Sequence, residues 1–196
     1  MNLSPLRAIT DFGDTGVVLP LAGLLICLLA YAESRRAAWL FARAMLGCLV
    51  VMTLLKILFL SCGQHFGLNI ASPSGHASLT TILYGSIAVV VWAQPRPVLR
   101  ALAAGFTALL VLSVAVSRVL LHAHTVPEVC LGFTVGALSL LCFARPYLAM
   151  KHPVIRIRHV GLVLGTAFLI SYGTVLPAER LLRNYIPFFQ IGICRA

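Results

Sequence analysis

Six stretches of this chain run for roughly the length of a membrane crossing with almost no charge, and nothing else in the sequence limits its fold so strongly. They extend approximately over Thr15–Ala32, Ala38–Leu60, His76–Trp92, Val98–Val116, Val126–Phe143 and His159–Leu176. A bilayer's hydrocarbon layer takes about 20 apolar residues per helix. The composition agrees: 60% of the 196 residues are hydrophobic and only 10% charged, with a mean hydropathy of +0.99. Soluble globular domains lie far from those values. The expected architecture is all-α, a polytopic membrane helix bundle of about six transmembrane helices. It forms a single integral-membrane domain over residues 1–196, with its chemistry-bearing core in residues 56–128.

The first apolar run follows Asp11 and Asp14 rather than a basic stretch, and no small-residue cleavage site succeeds it, so it is expected to stay in the mature protein. An amphipathic leader precedes it and a tail follows Pro177. The cations set the orientation. Arg35 and Arg36, then Arg96 and Arg100, then Arg145, Lys151, Arg156 and Arg158 occupy loops on one side of the bundle, which the positive-inside rule makes cytoplasmic. By parity the leader, residues 61–71, residues 117–125 and the tail face outward, although Arg180, Arg183 and Arg195 in the tail pull the other way. A bacterial inner membrane, with the chemistry facing the periplasm, fits this pattern.

The formal net charge is +10, but its carriers are spread over several loops beside the spans rather than gathered into one stripe. Anionic lipid headgroups are therefore the expected partners and nucleic acid is not. Cys27, Cys48, Cys130 and Cys142 lie inside apolar runs as small hydrophobes. Cys62 and Cys194 could share the outer side, but a disulfide between them is not expected.

Against this apolar background a few polar clusters stand out. The string Ser72-Pro73-Ser74-Gly75-His76 opens the third run, Ser117 and Arg118 close the fourth, His124 and Glu128 open the fifth, and Lys56 ends the second. Parity brings all four to one membrane face, where ionisable groups are costly unless they have work to do. A proline in a first turn, followed by Ser74 and Gly75, leaves helix-start N–H groups facing an anion along a favourable macrodipole. Arg118 adds a fork of donors matched to phosphate oxygens and Lys56 a point-like cation. His124 and Glu128 are four apart, so the carboxylate reaches one ring nitrogen and leaves the other free to attack. His76 is then the second proton-handling group.

These residues carry a resemblance. The order PSGH at 73–76, then Ser117 and Arg118, five residues, His124, three residues and Glu128 resembles the signature of the type 2 phosphatidic acid phosphatase superfamily, which reads KxxxxxxRP, PSGH and SRxxxxxHxxxD. The resemblance implies a metal-independent lipid phosphatase working through a phosphohistidine and needing no cofactor. It implies His124 as nucleophile, His76 as the acid for the leaving group, and Lys56, Ser74, Gly75 and Arg118 as phosphate binders. Two departures stand out. Glu128 replaces the terminal aspartate and adds a methylene; counting from Lys56, Gly63 and Gln64 occupy the places of Arg and Pro. Gln64 or His65 would have to serve there as neutral donors.

Each residue has a plainer reading. Thr125 and Glu128 fit a capping box. Lys56 fits a snorkelling helix-end cation. His122 is expected at the interface, pointing away from His124. Asp11 and Asp14 are expected at the outer surface, and Arg43 is expected to snorkel or pair. With five acidic residues in the chain, and only Glu128 among the clusters, resident metal chemistry is not expected. Nor does any Walker loop or GxGxxG offer a nucleotide a place. Three functions remain: hydrolysis of a membrane lipid phosphate, transfer of its phosphate to another acceptor, or phospholipid binding and transport without chemistry. Two histidines suit proton and phosphoryl transfer better than bare binding.

Overall fold

A computed structural model describes residues 4–62, 71–154 and 157–174. These form seven helices: α1 (Ser4–Asp11), α2 (Thr15–Ala32), α3 (Arg35–Cys62), α4 (Gly75–Trp92), α5 (Pro97–Leu120), α6 (Val126–Leu148) and α7 (Ile157–Ser171). No strand occurs among the described residues. Five of the helical stretches, with α1 and α2 counted as one, are long and apolar enough to cross a membrane. The sixth apolar run is represented by α7, whose fifteen residues are shorter than a span; the end of that run lies outside the described residues.

Punctuation in the sequence explains the helix ends. Asp14 caps α2, its Oδ1 accepting the Gly16 N–H at 2.8 Å. Ser34 Oγ accepts the Ala37 N–H at 3.1 Å, so the two residues between α2 and α3 suffice to reverse the chain. Pro97 and Pro127 stand in the first turns of α5 and α6, where a missing N–H costs nothing. Pro73 behaves differently from expectation. It precedes the cap of α4 instead of entering the first turn, because Ser74 keeps an extended backbone and the helix starts at Gly75.

α4 lies at the centre, packed chiefly against α6 and α5 and touching α2 and α3 as well. It carries more hydroxyls than its neighbours, and three of them are satisfied within the helix: Ser78, Thr80 and Thr81 donate to the carbonyls of Gly75, His76 and Ala77 at 2.9, 2.7 and 2.7 Å. In hydrocarbon such groups must find partners within the protein. Large side chains turned outward, among them Trp39, Leu54, Phe106 and Leu109, give the bundle an apolar perimeter suited to lipid. Arg43 is exposed on α3.

The loop end of the bundle that bears the basic residues is tied by a polar knot. Tyr147 donates its hydroxyl to Glu33 Oε2 at 2.7 Å, and His152 Nδ1 meets the other oxygen of the same carboxylate. A chain of ring contacts runs on from it, His152 to Tyr147 to Phe143 to Phe41, with centroids 4.4–5.6 Å apart and the last pair edge-on. The opposite end gathers α1, the start of α2, the start of α4, the end of α5 and the start of α6. Thr174, just past α7, joins them through a hydrogen bond from its Oγ1 to the Gly16 carbonyl at 3.2 Å.

Candidate active site

The site is built around Glu128, third residue of α6. Its Oε2 accepts the Thr125 N–H at 3.0 Å, which closes the start of α6, and the same oxygen lies 3.0 Å from His124 Nδ1. Its Oε1 accepts the N–H groups of Ala71 and Ser72 at 2.6 and 2.9 Å. Its backbone carbonyl accepts the Ser74 N–H at 3.0 Å. One residue therefore caps a helix, orients a histidine and pins the segment leading into α4. The capping and the orienting readings of Glu128 hold together.

An ionised carboxylate only accepts hydrogen bonds, so the proton of a neutral His124 belongs on Nδ1 and the lone pair on Nε2. Both side chains are almost wholly out of water. His124 itself precedes the Thr125 cap. It is delivered by a tight return at the end of α5, where the N–H groups of Ala123 and His124 both donate to the Arg118 carbonyl, at 3.1 and 3.2 Å. His122, at the apex, takes a left-handed φ of 52° and is exposed, which turns it away from His124 as the sequence predicts.

Two glycines bring α6 close enough for this. A β-carbon on Gly132 would stand 2.2 Å from the Ser74 carbonyl oxygen, and one on Gly136 would stand 2.6 Å from that of Ser78. Neither contact is compatible with a side chain. The pair forms a GxxxG face, which lets two membrane helices approach backbone to backbone. That spacing is visible in the sequence.

The start of α4 then faces the cluster. Ser74 is fully buried; its hydroxyl accepts the Ala77 N–H at 3.5 Å and its own N–H is taken by Glu128. The helix-start donors with no acceptor inside α4 are thus the N–H groups of Gly75 and His76. Lys56 reaches the same place from α3, for a β-carbon on Gly75 would lie 3.8 Å from its Nζ. α3 continues through Cys62, so Lys56 acts from within the helix rather than ending it. Arg118, Lys56 and His124 are all near enough for their charges to act on the His76 ring. Arg118 also donates from Nη1 to Thr10 Oγ1 at 3.3 Å.

The expectation for the leader is corrected. Asp14 is buried, not surface-exposed, and its Oδ2 lies 3.7 Å from His76 Nε2. The turn between α1 and α2 is seated on α4, so the site has a second carboxylate besides Glu128. Nothing in the sequence linked Asp14 to His76, which stands sixty-two positions later. The seven residues Lys56, Ser74, Gly75, His76, Arg118, His124 and Glu128 do converge. Gln64 and His65 lie outside the described residues, and Cys194 lies there too.

Chemically, the arrangement offers an oriented imidazole, a second imidazole, two cations and helix-start amides on one bundle end. Residues 60–151 match the family described as the PAP2 superfamily. That segment spans the helix-start, arginine and histidine–carboxylate motifs and begins just after Lys56. No curated protein and no solved structure matches the chain.

Proposed function

From the membership of residues 60–151 in the PAP2 superfamily, which implies phosphatase-type chemistry on phosphoesters, we propose that this membrane protein is a metal-independent lipid phosphate phosphatase. Its substrate is a lipid phosphomonoester or pyrophosphate of the phosphatidic acid, phosphatidylglycerol phosphate, polyprenyl or lipid A type. The observation that carries this reading is the His124–Glu128 pair, locked in one tautomer by a carboxylate that also anchors the phosphate-facing start of α4.

In the proposed mechanism the phosphate dianion sits among the Gly75 and His76 amides, the Arg118 guanidinium and the Lys56 ammonium. His124 Nε2 attacks phosphorus. An N–P bond forms, the P–O bond to the lipid breaks, and the departing oxygen takes a proton from His76. Glu128 stabilises the charge that His124 acquires. Water then attacks the phosphohistidine, giving its proton to the now neutral His76; inorganic phosphate leaves and His124 is restored. Protonating the leaving oxygen is worth about 10²–10⁴ in rate for an alcohol of ordinary basicity.

The site lies at the end of the bundle opposite the basic loops. The positive-inside rule then supports a periplasmic site in a bacterial inner membrane, with the basic loops against anionic headgroups. The test is inorganic phosphate release by purified protein in detergent with excess EDTA. The panel is phosphatidic acid, phosphatidylglycerol phosphate and undecaprenyl pyrophosphate, with His124→Ala as control. Release that requires His124 and ignores EDTA is expected. Release that collapses with EDTA overturns the metal-free mechanism, and silence on every lipid favours a phosphotransferase or a binder instead.

A further inference from the structure

We propose that Asp14 is the positioning residue of the leaving-group histidine, so that the site contains two carboxylate–histidine pairs: Glu128 with His124 and Asp14 with His76. The inference rests on the reading of His76 as the acid.

The geometry gives the two oxygens of Asp14 separate tasks. Oδ1 holds the Gly16 N–H at 2.8 Å, which is all that capping α2 requires. Oδ2 is directed to His76 Nε2 at 3.7 Å, beyond a hydrogen bond but within ion-pair range. The Asp14 side chain is 9% exposed and that of His76 23%, so water screens the pair little.

The approach is enforced rather than incidental. A β-carbon on Gly13 would stand 2.6 Å from Thr80 Oγ1, 3.0 Å from the His76 carbonyl oxygen and 3.1 Å from His76 Cβ. Only a glycine lets the leader sit this close. Tyr84 fixes the same turn by donating its hydroxyl to the Phe12 carbonyl at 3.1 Å, and the Arg118–Thr10 bond fixes it from α5.

The charge balance around His76 supplies the reason for such a contact. Lys56 from α3, Arg118 from α5 and His124 from the α5–α6 return all lie near enough for their charges to reach the ring. Those cations are needed for the phosphate. An acid placed among them needs a compensating anion, and Asp14 is the carboxylate facing it among the described residues. Asp14, facing Nε2, thereby holds the imidazole in place and leaves the Nδ1 proton for the departing oxygen.

The test uses the full chain in detergent and two phosphomonoesters, and reads the first-turnover release of the leaving group, before the hydrolysis step that His76 also serves. One is phosphatidic acid, whose alkoxide leaving group needs a proton; the other is a long-chain nitrophenyl phosphate, whose leaving anion is stable without one. Asp14→Asn keeps a capping oxygen and the side-chain size while removing the charge. The expected result is a loss of about tenfold or more in the first-turnover rate on phosphatidic acid with the half-saturating concentration little changed, and a much smaller loss on the aryl ester. His76→Ala must show the same discrimination. If it does and Asp14→Asn loses both substrates equally, or neither, Asp14 is only a cap and the inference fails. If His76→Ala does not discriminate, the reading of His76 as the acid fails and Asp14 falls with it. Partial recovery of phosphatidic acid turnover in Asp14→Glu separates charge from cap.

Discussion

Glu128→Gln is the most informative single change, because the structure states what each atom of the replacement would meet. The carboxylate accepts from four donors: Ala71 and Ser72 on Oε1, Thr125 and His124 on Oε2. Glutamine has one oxygen and one NH₂ group. If the oxygen stays with Ala71 and Ser72, the NH₂ group faces the Thr125 N–H and the His124 ring. The Thr125 donor loses its acceptor, which costs about 1–3 kcal/mol of stability in a buried site. The NH₂ group donates to His124 Nδ1, which moves the ring proton to Nε2, the atom proposed to attack. The opposite orientation strands Ala71 and Ser72 and leaves the imidazolium uncompensated. Amidating the orienting carboxylate of serine-protease triads lowers turnover about 10⁴-fold through the same tautomer error. A loss of about 10³–10⁴ is expected here, equivalent to roughly 4–5 kcal/mol of barrier. Glu128→Asp retains the charge but shortens the reach by about 1.5 Å, so it is expected to keep most turnover and to lose about 1 kcal/mol for each hydrogen bond it cannot span. Phosphate release should be measured alongside thermal unfolding in detergent, so that lost folding is not mistaken for lost chemistry. Equal activity in folded Gln and Asp variants would refute the argument and leave Glu128 as a helix cap.

Three further outcomes follow from the geometry. His124→Ala and His76→Ala should each abolish lipid phosphate release while unfolding near the wild-type temperature; near-normal release from either removes it from the mechanism. Gly132→Ala would force a methyl group to 2.2 Å from the Ser74 carbonyl oxygen and should cost several kcal/mol or misplace α4, whereas Gly23→Ala enters open space and should be neutral in both melting temperature and phosphate release. Tyr147→Phe removes the 2.7 Å bond to Glu33 at the far end of the bundle and should lower stability by about 1–3 kcal/mol, with turnover per folded molecule unchanged; a matching fall in turnover would reveal coupling between the two ends.

The sequence by itself determined the class of fold and most of the site. Long uncharged runs leave helices as the economical way to satisfy a backbone in lipid, and helices of that length alternate sides, so parity alone brought Lys56, the PSGH string, Arg118, His124 and Glu128 to one end. The spacing of four between His124 and Glu128 also survived, because a residue just before a helix cap and the third residue after it are brought together by the cap itself.

Only the tertiary structure decided how closely the helices meet and what the leader does. Contact of α6 with α4 through Gly132 and Gly136 depends on which face of each helix turns inward, a property of the assembled bundle rather than of either segment. The double duty of Glu128 toward Ala71 and Ser72 depends on a segment 56–57 residues away. Asp14 is the sharpest case. In sequence it is a polar residue before an apolar helix, the usual place for a cap and for surface exposure. Its second oxygen acquires a partner only when α1 and α2 fold back over α4, because local propensity fixes a helix start but not what the helix start is pressed against.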